Sequence, residues 1–318
     1  MAESFARPWP VSLTAEDAAV RTRGLTKRFG RVVALDAADL TVPTGSVYLL
    51  AGPNGAGKTT TTRILLDLTR PSSGEVEVLG TSPHTHGGET RAQIGYVPER
   101  TDIGYGWMRV DRLLQHHAAF RSAWDYDYAR ELSDALEIET TRKFGKLSKG
   151  NARRVQLVMA LAHKPRLLIL DEPTDGLDPL MRERVLGLLA AHARRFRSTV
   201  VISTHLIHEA DRMATHVAVI DRGRVVVQAP REELNRNLRR YRAARLSGET
   251  PSLLQPVVVM RADDDQGTDL VVWGEETLVG PLLRDAGVQV LETGPLSLEQ
   301  SAVAFLTHAV SMRTARAA

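Results

Sequence analysis

The chain has 318 residues, of which 43% are apolar and 25% charged, as in an ordinary globular protein of more than one domain. Its 41 basic and 38 acidic residues give a net charge of only +3, so we expect no nucleic-acid partner from charge. The absence of cysteine excludes disulfides and cysteine-zinc sites. No apolar run approaches the roughly 18 residues needed to cross a bilayer.

The first segments of the chain predict an extension followed by strands. Residues 1–19 carry charges and prolines and lack the apolar core of a signal peptide, so we expect a flexible N-terminal extension. Residues 21–51 predict strands with a turn at Phe29 and Gly30 and another near Gly45.

The segment VYLLAGPNGAGKTT joins a buried strand to a glycine-rich loop and the start of a helix. Its glycines let the backbone turn tightly and approach an anion, and the loop N–H groups form a nest at the helix N-terminus. Lys58 supplies a positive charge for the terminal phosphates, and Thr59 supplies a hydroxyl for Mg²⁺. The segment predicts a nucleoside triphosphate site formed by Gly52, Pro53, Asn54, Gly55, Ala56, Gly57, Lys58, Thr59 and Thr60.

The next part of the chain predicts a helix over 58–69 and strands over 75–79 and 94–97. The polar loop between these strands holds His84 and His86, which make a weak candidate metal pair; a solvated loop explains them better. Residues 111–163 follow a helical pattern, and 151–162 is amphipathic with Val155 and Leu161 on its apolar face.

A second chemical motif reads LLILDEPTDGLD, over residues 167–178. Four apolar residues predict a buried strand, and ligands of open α/β sheets bind at the carboxyl ends of the strands. Asp171 is therefore a candidate Mg²⁺ ligand, and Glu172 is placed to polarise an attacking water. A strand ending in solvated acids is the simpler alternative, but pairing with the phosphate loop argues against it.

The last third of the chain predicts a return to strand–helix–strand order up to about Leu238. Residues 240–318 then predict a small α+β unit: strands over 257–260 and 270–273, a helix over 278–286, a strand over 288–291 and a helix over 296–308. The arginines between 236 and 245 form a basic cluster, which we expect to be a solvated face or interface. Contact with lipid headgroups is the alternative.

Over residues 20–230 the motifs together resemble the ATP-binding cassette family, the ATPases of ABC transporters. Phe29 matches the aromatic residue that stacks on adenine, and Glu99 stands where most relatives have glutamine. The segment LSKGN, residues 147–151, matches the family signature and will be called the signature segment. Asp178 lies in the loop that follows the Asp-Glu strand, and His205 matches the switch histidine.

The resemblance implies an α/β fold: a P-loop NTPase cassette with a mixed β core over 20–238, an inserted helical subdomain at about 100–163, and a small α+β domain over 239–318. It implies ATP and Mg²⁺ as cofactors, with Thr59, Glu99 and Asp171 near the metal and Lys58, Glu172 and His205 in catalysis. It also implies a homo- or heterodimer, in which one subunit places its signature residues on the ATP of the other: Ser148, Lys149, Gly150 and Asn151.

The C-terminal region, with Leu296 to Glu299 reading LSLE, is similar to the extension of ABC-2-type exporter ATPases, where Glu99 and Lys149 are also familiar. This similarity implies an ATP-hydrolysing subunit at the cytoplasmic face of the cell membrane that powers a separate permease. In that family, the region corresponding to residues 101–124 receives helices of the membrane subunit; an ordinary core-forming helix pair is the alternative. The alternatives are a non-transport ATPase associated with ribosomes or DNA, and the ATPase of an importer.

Overall fold

The structure is a computed structural model that describes residues 9–11, 13, 14 and 16–317. In chain order its strands are β1 (Ala18–Phe29), β2 (Val32–Pro43), β3 (Val47–Ala51), β4 (Ser73–Val78), β5 (Ile94–Val97), β6 (Leu167–Asp171), β7 (Thr199–Thr204), β8 (His216–Asp221), β9 (Arg224–Pro230), β10 (Leu238–Ala243), β11 (Val258–Asp264), β12 (Gly267–Trp273) and β13 (Val290–Pro295). Its helices are α1 (Lys58–Leu65), α2 (Gly87–Ala92), α3 (Val110–Ala118), α4 (Tyr126–Ala135), α5 (Lys149–Leu161), α6 (Pro179–Phe196), α7 (Ile207–Ala210), α8 (Arg231–Asn237), α9 (Glu276–Asp285) and α10 (Leu298–Ala317).

A six-stranded sheet forms the centre of the cassette, in the order β5-β6-β7-β3-β8-β9. The first five strands are parallel, and β9 pairs antiparallel with β8. Strands β3 and β6 are buried at every residue, because both faces of the sheet are covered. The apolar runs in the sequence therefore predict these strands correctly.

A second sheet, in the order β2-β1-β4, is antiparallel and forms an arm of the cassette. Phe29 pairs with Val32 at the end of the β1–β2 hairpin, where the sequence predicts the turn. Helix α1 ends at Leu65, earlier than the predicted residue 69, and turns complete the segment before β4.

The helical region lies between β5 and β6, where the sequence places the inserted subdomain. Helix α5 begins after Ser148, whose side chain accepts a hydrogen bond from the Asn151 N–H. Leu113 of α3 and Val155 of α5 meet in a separate small apolar core together with Phe144. Among the described residues, no helix has the length and apolar character to span a membrane.

The C-terminal sheet has the order β11-β12-β10-β13, so it contains one strand more than the sequence predicts. The missed strand is β10, and it lies in the middle of the sheet. Arg240 is exposed, as expected for a solvated face, and pairs with Asp269 at 2.9 Å, while the less exposed Arg242 donates to Asp264. Neighbouring carboxylates therefore offset part of the charge of this run. The last strand lies at Val290–Pro295, beyond the predicted start at residue 288.

The C-terminal unit packs against the cassette through a shared apolar core. Trp273 of β12 and Phe305 of α10 belong to the same buried cluster as the strands of the central sheet. Trp9 also joins it, with its ring centroid 5.6 Å from Phe305 and 4.8 Å from His308. Gln228 further bonds the carbonyls of residues 10 and 11. Residues 9–11 are thus packed rather than loose, while residues 1–8, 12 and 15 of the predicted extension lie outside the described residues.

Candidate nucleotide-binding site

At two of its glycines, the loop between β3 and α1 approaches its neighbours too closely for any other residue. A Cβ on Gly52 would lie 2.3 Å from the carbonyl oxygen of Ile220. A Cβ on Gly57, which has a φ of +112°, would lie 2.7 Å from the oxygen of Ala34. Gly57 is also the N-cap of α1, so the loop N–H groups end at the positive pole of that helix. This geometry suits a phosphate group.

Lys58 is folded back over this loop. Its Nζ donates to the carbonyl oxygens of Gly52 at 2.7 Å and Pro53 at 3.1 Å, and the side chain is buried. Burial lowers the pKa of Lys58, while the carboxylates of Glu172 and Asp171 act in the opposite direction. The ammonium group thus lies between the loop and the carboxylates, where terminal phosphates of a nucleotide would compete for its N–H groups.

Asp171 ends β6 and is only 1% exposed. The Ser203 hydroxyl donates to its Oδ1. Burial raises the pKa of Asp171, and Ser203, Thr59 and Lys58 oppose the rise. Its Oδ2 is buried without a hydrogen-bond partner. A buried, unpartnered carboxylate oxygen beside a threonine hydroxyl fits a hard cation such as Mg²⁺.

Glu172 follows directly and is held by three donors. Its Oε2 accepts from Thr204 Oγ1 at 2.9 Å. Its Oε1 accepts from the His205 backbone N–H at 3.0 Å and pairs with His205 Nδ1 at 2.8 Å. Glu172 is 8% exposed and has a φ of +50°, an uncommon conformation that aims its carboxylate at the end of β7. The structure therefore brings the two predicted catalytic residues Glu172 and His205 into contact.

Phe29 and Glu99 both lie at the surface. The Phe29 ring is half exposed, and Lys27 Nζ lies 4.8 Å from its centroid. Glu99 is exposed just after β5, and its backbone oxygen accepts a 2.6 Å bond from Arg153. Glu99 acts electrostatically on Lys58, so its charge reaches the phosphate loop.

In the same chain, the signature segment packs on the loop that follows Glu172. A Cβ on Gly150 would lie 2.5 Å from the Gly176 oxygen, and the Lys149 stem lies against Gly176. Lys149 Nζ pairs with Asp175 at 2.6 Å. Asp178 caps α6 by accepting from the Met181 N–H at 3.0 Å, and this bond lowers the pKa of Asp178.

Two residues of this centre were not predicted from the sequence. Ser203 and Thr204 orient Asp171 and Glu172, respectively. The sequence does contain a signal for them, because both come directly before His205 at the end of the apolar segment TVVIST.

Together the strand-end carboxylates and the glycine loop define a P-loop nucleoside triphosphatase. The ABC transporter family matches residues 35–175. A bacitracin transport ATP-binding protein of Bacillus licheniformis is 32% identical over 237 residues, which cover 74% of this chain and 77% of that protein. A Nod factor export ATP-binding protein of Cupriavidus metallidurans is 35% identical over 225 residues, covering 68% of this chain and 73% of that protein.

A solved dimeric ATP-binding cassette in a post-hydrolysis state, bound to ADP and phosphate, has a TM-score of 0.60 to this chain at 25% identity. It covers 66% of this chain, and 98% of the solved chain is matched. The chain belongs to the ABC transporter family of ATP-binding subunits. The predicted family, fold class and ATPase activity are confirmed, and the chain binds ATP.

Proposed function

We propose that the chain is the ATPase of an ABC-2-type exporter and drives a separate membrane permease. Relatives named for bacitracin transport and Nod factor export support this function. The cassette spans residues 20–238, and the C-terminal domain spans 239–318. The protein acts at the cytoplasmic face of the membrane as a peripheral subunit, in a homo- or heterodimer of cassettes.

In this proposal ATP lies with its phosphates on residues 52–60 and its adenine on Phe29. Thr59 and Asp171 would hold Mg²⁺, with Glu99 nearby, and the bound ion would supply positive charge for the phosphates. Glu172 orients the attacking water and accepts its proton, while His205 holds Glu172 in place. A second subunit contributes its signature segment to the same nucleotide and excludes water.

The catalytic roles proposed for Asp171 and Glu172 are supported by the different surroundings of these two adjacent carboxylates. Asp171 keeps a buried oxygen free, whereas both oxygens of Glu172 are hydrogen-bonded. One carboxylate is thereby suited to a cation and the other to orientation of a water. Replacing Glu172 by glutamine tests this assignment.

The permease-docking part is supported by an exposed aromatic surface on the helical region. Trp107 is 69% and Phe120 is 73% exposed. His116 bridges Tyr105 and Phe120, with ring centroids 5.3 and 5.1 Å away. Aromatic groups of this size are enriched where proteins bind partners.

Because the chain has no cysteine, a single cysteine can map this contact. Trp107→Cys should crosslink to a co-expressed polytopic membrane protein, and Leu278→Cys, exposed on α9, is the matched control. Equal crosslinking of the two variants would contradict docking at this surface. ATP-driven efflux from cells, absent without the permease, distinguishes an exporter from an importer.

A further inference from the structure

The most deeply buried cation of the described residues lies outside the nucleotide site. Arg153, on α5, has an exposed fraction of 0%. Its Nη2 donates to the backbone oxygen of Glu99 at 2.6 Å, and its Nη1 donates to the oxygen of Pro98. Nη1 also donates to Gln156 Oε1 at 3.0 Å. Since arginine is rarely buried without a compensating role, these bonds require an explanation.

Gln156, about one helical turn after Arg153, also contacts the backbone that follows β5. Its Nε2 lies 3.1 Å from the oxygen of Arg100 and 3.4 Å from the oxygen of Thr101. Residues three apart lie on one face of a helix, so Arg153 and Gln156 present their donors side by side. Two side chains of α5 therefore hold four successive carbonyl groups, those of residues 98–101, which we call the Glu99 loop.

Burial of this guanidinium carries a desolvation cost. Burial lowers the pKa of Arg153, and only part of that effect is offset by the carboxylates of Asp175, Asp171, Glu172 and Glu99. Replacing a buried ion pair by apolar residues of similar volume is often neutral or stabilising, so a buried arginine is weak evidence for a purely stabilising role. The carboxylates that act on it are those of the nucleotide site and the adjoining loop.

We propose that Arg153 and Gln156 are positioning residues that join the Glu99 loop to the signature segment, so that both move as one body. The signature segment begins α5 one turn before Arg153, with Ser148 as its cap. A rigid helix carries a displacement along its length. A shift of the Glu99 loop when ATP binds to its own subunit thereby moves Ser148 and Gly150 toward the nucleotide of the opposite subunit. This inference rests on the proposed dimeric arrangement.

The test measures ATP binding, turnover and dimerisation of the full chain. In Arg153→Met, affinity for a fluorescent ATP analogue should stay within about twofold of the wild type, because the phosphate loop is untouched. The turnover number should fall on the order of tenfold or more, since small misplacements of catalytic groups have effects of this size. In a Glu172→Gln background, the same change should weaken ATP-dependent dimerisation, measured by analytical ultracentrifugation.

Gln156→Leu removes the bonds to the oxygens of Arg100 and Thr101 and should show the same pattern in milder form. This variant replaces Arg153→Met in the test if Arg153→Met does not fold. Arg153→Lys should restore part of the turnover, since an ammonium group still donates to a carbonyl. Arg121→Met is the matched control, because Arg121 also donates to three backbone oxygens, those of Arg91, Ala92 and Ile94.

The control is expected to lower the melting temperature without changing dimerisation. If Arg153→Met and Gln156→Leu behave like Arg121→Met in turnover and dimerisation, the positioning role is wrong. Equal losses of ATP affinity and turnover would also overturn it, because they indicate general damage to the cassette. Failure of the permease proposal would appear in the crosslinking experiment and leaves these comparisons unaffected.

Discussion

Replacing Glu172 by glutamine removes one negative charge from the end of β6 and changes little else. The amide oxygen can still accept from the His205 N–H and from its ring, as Oε1 does now. The amide nitrogen takes the place of Oε2, facing Thr204, whose hydroxyl already accepts from the Leu206 N–H at 3.0 Å. That hydroxyl loses its acceptor, so we expect a change in folding stability of about 1 kcal/mol.

The catalytic effect should be far larger than the effect on stability. Loss of a general base lowers rates by about 10²- to 10⁴-fold. That loss corresponds to about 3–5 kcal/mol in the activation barrier. ATP binding should persist, since Lys58 and the glycine loop are unchanged. Binding without turnover should trap an ATP-bound dimer.

Phosphate release and sedimentation of the purified chain with Mg-ATP test both expectations. Turnover in Glu172→Gln should be below one per cent of that of the wild type, with a dimer that forms with ATP and disappears when ATP is removed. Undiminished phosphate release by Glu172→Gln would refute the role assigned to this carboxylate. Loss of ATP binding together with turnover would show that the charge acts in binding instead.

Further predictions concern the phosphate loop and the fold. Lys58→Ala should abolish turnover and the thermal stabilisation by ATP in a melting assay. Trp9→Ala, which empties a buried site against Phe305, should lower the free energy of unfolding by about 3–5 kcal/mol in denaturant titrations, and a loss below about 1 kcal/mol would contradict the packing. Burial lowers the pKa of His192 to about 4, so the folded state binds fewer protons than the unfolded state between pH 6.5 and 4. Stability should therefore fall as the pH decreases through that window, by up to about 3 kcal/mol from this group, and less steeply in His192→Gln.

The parts of the site that lie on buried strands were predictable. An apolar run followed by carboxylates indicates both a buried strand and the carboxyl end at which ligands bind. Asp171 and Glu172 are of this kind. The phosphate loop was predictable for a related reason: a side chain at Gly52 or Gly57 would place its Cβ 2.3 or 2.7 Å from neighbouring backbone oxygens, so these positions require glycine.

The missed parts depend on partners that are distant in sequence. Strand β10 reads as a charged segment because Arg240 and Arg242 lie on it, and their acceptors Asp269 and Asp264 appear more than 20 residues later. Trp9 stands alone in an extension with no periodicity, and its contact is with α10, at the other end of the chain. Arginine is normally exposed, so the burial of Arg153 could not be predicted without knowing that the carbonyl groups of Pro98 and Glu99 accept its hydrogen bonds.

The different tasks of Asp171 and Glu172 follow from the register of two parallel strands. Asp171 pairs with Ser203, which places the serine hydroxyl on its carboxylate. Thr204 ends β7 and His205 follows it, and both meet Glu172, the next residue after β6. A shift of β7 by one residue would turn its side chains to the opposite faces of the sheet. Glu172 would then lose its donors and Asp171 its serine, so the central sheet positions the chemistry as well as forming the core.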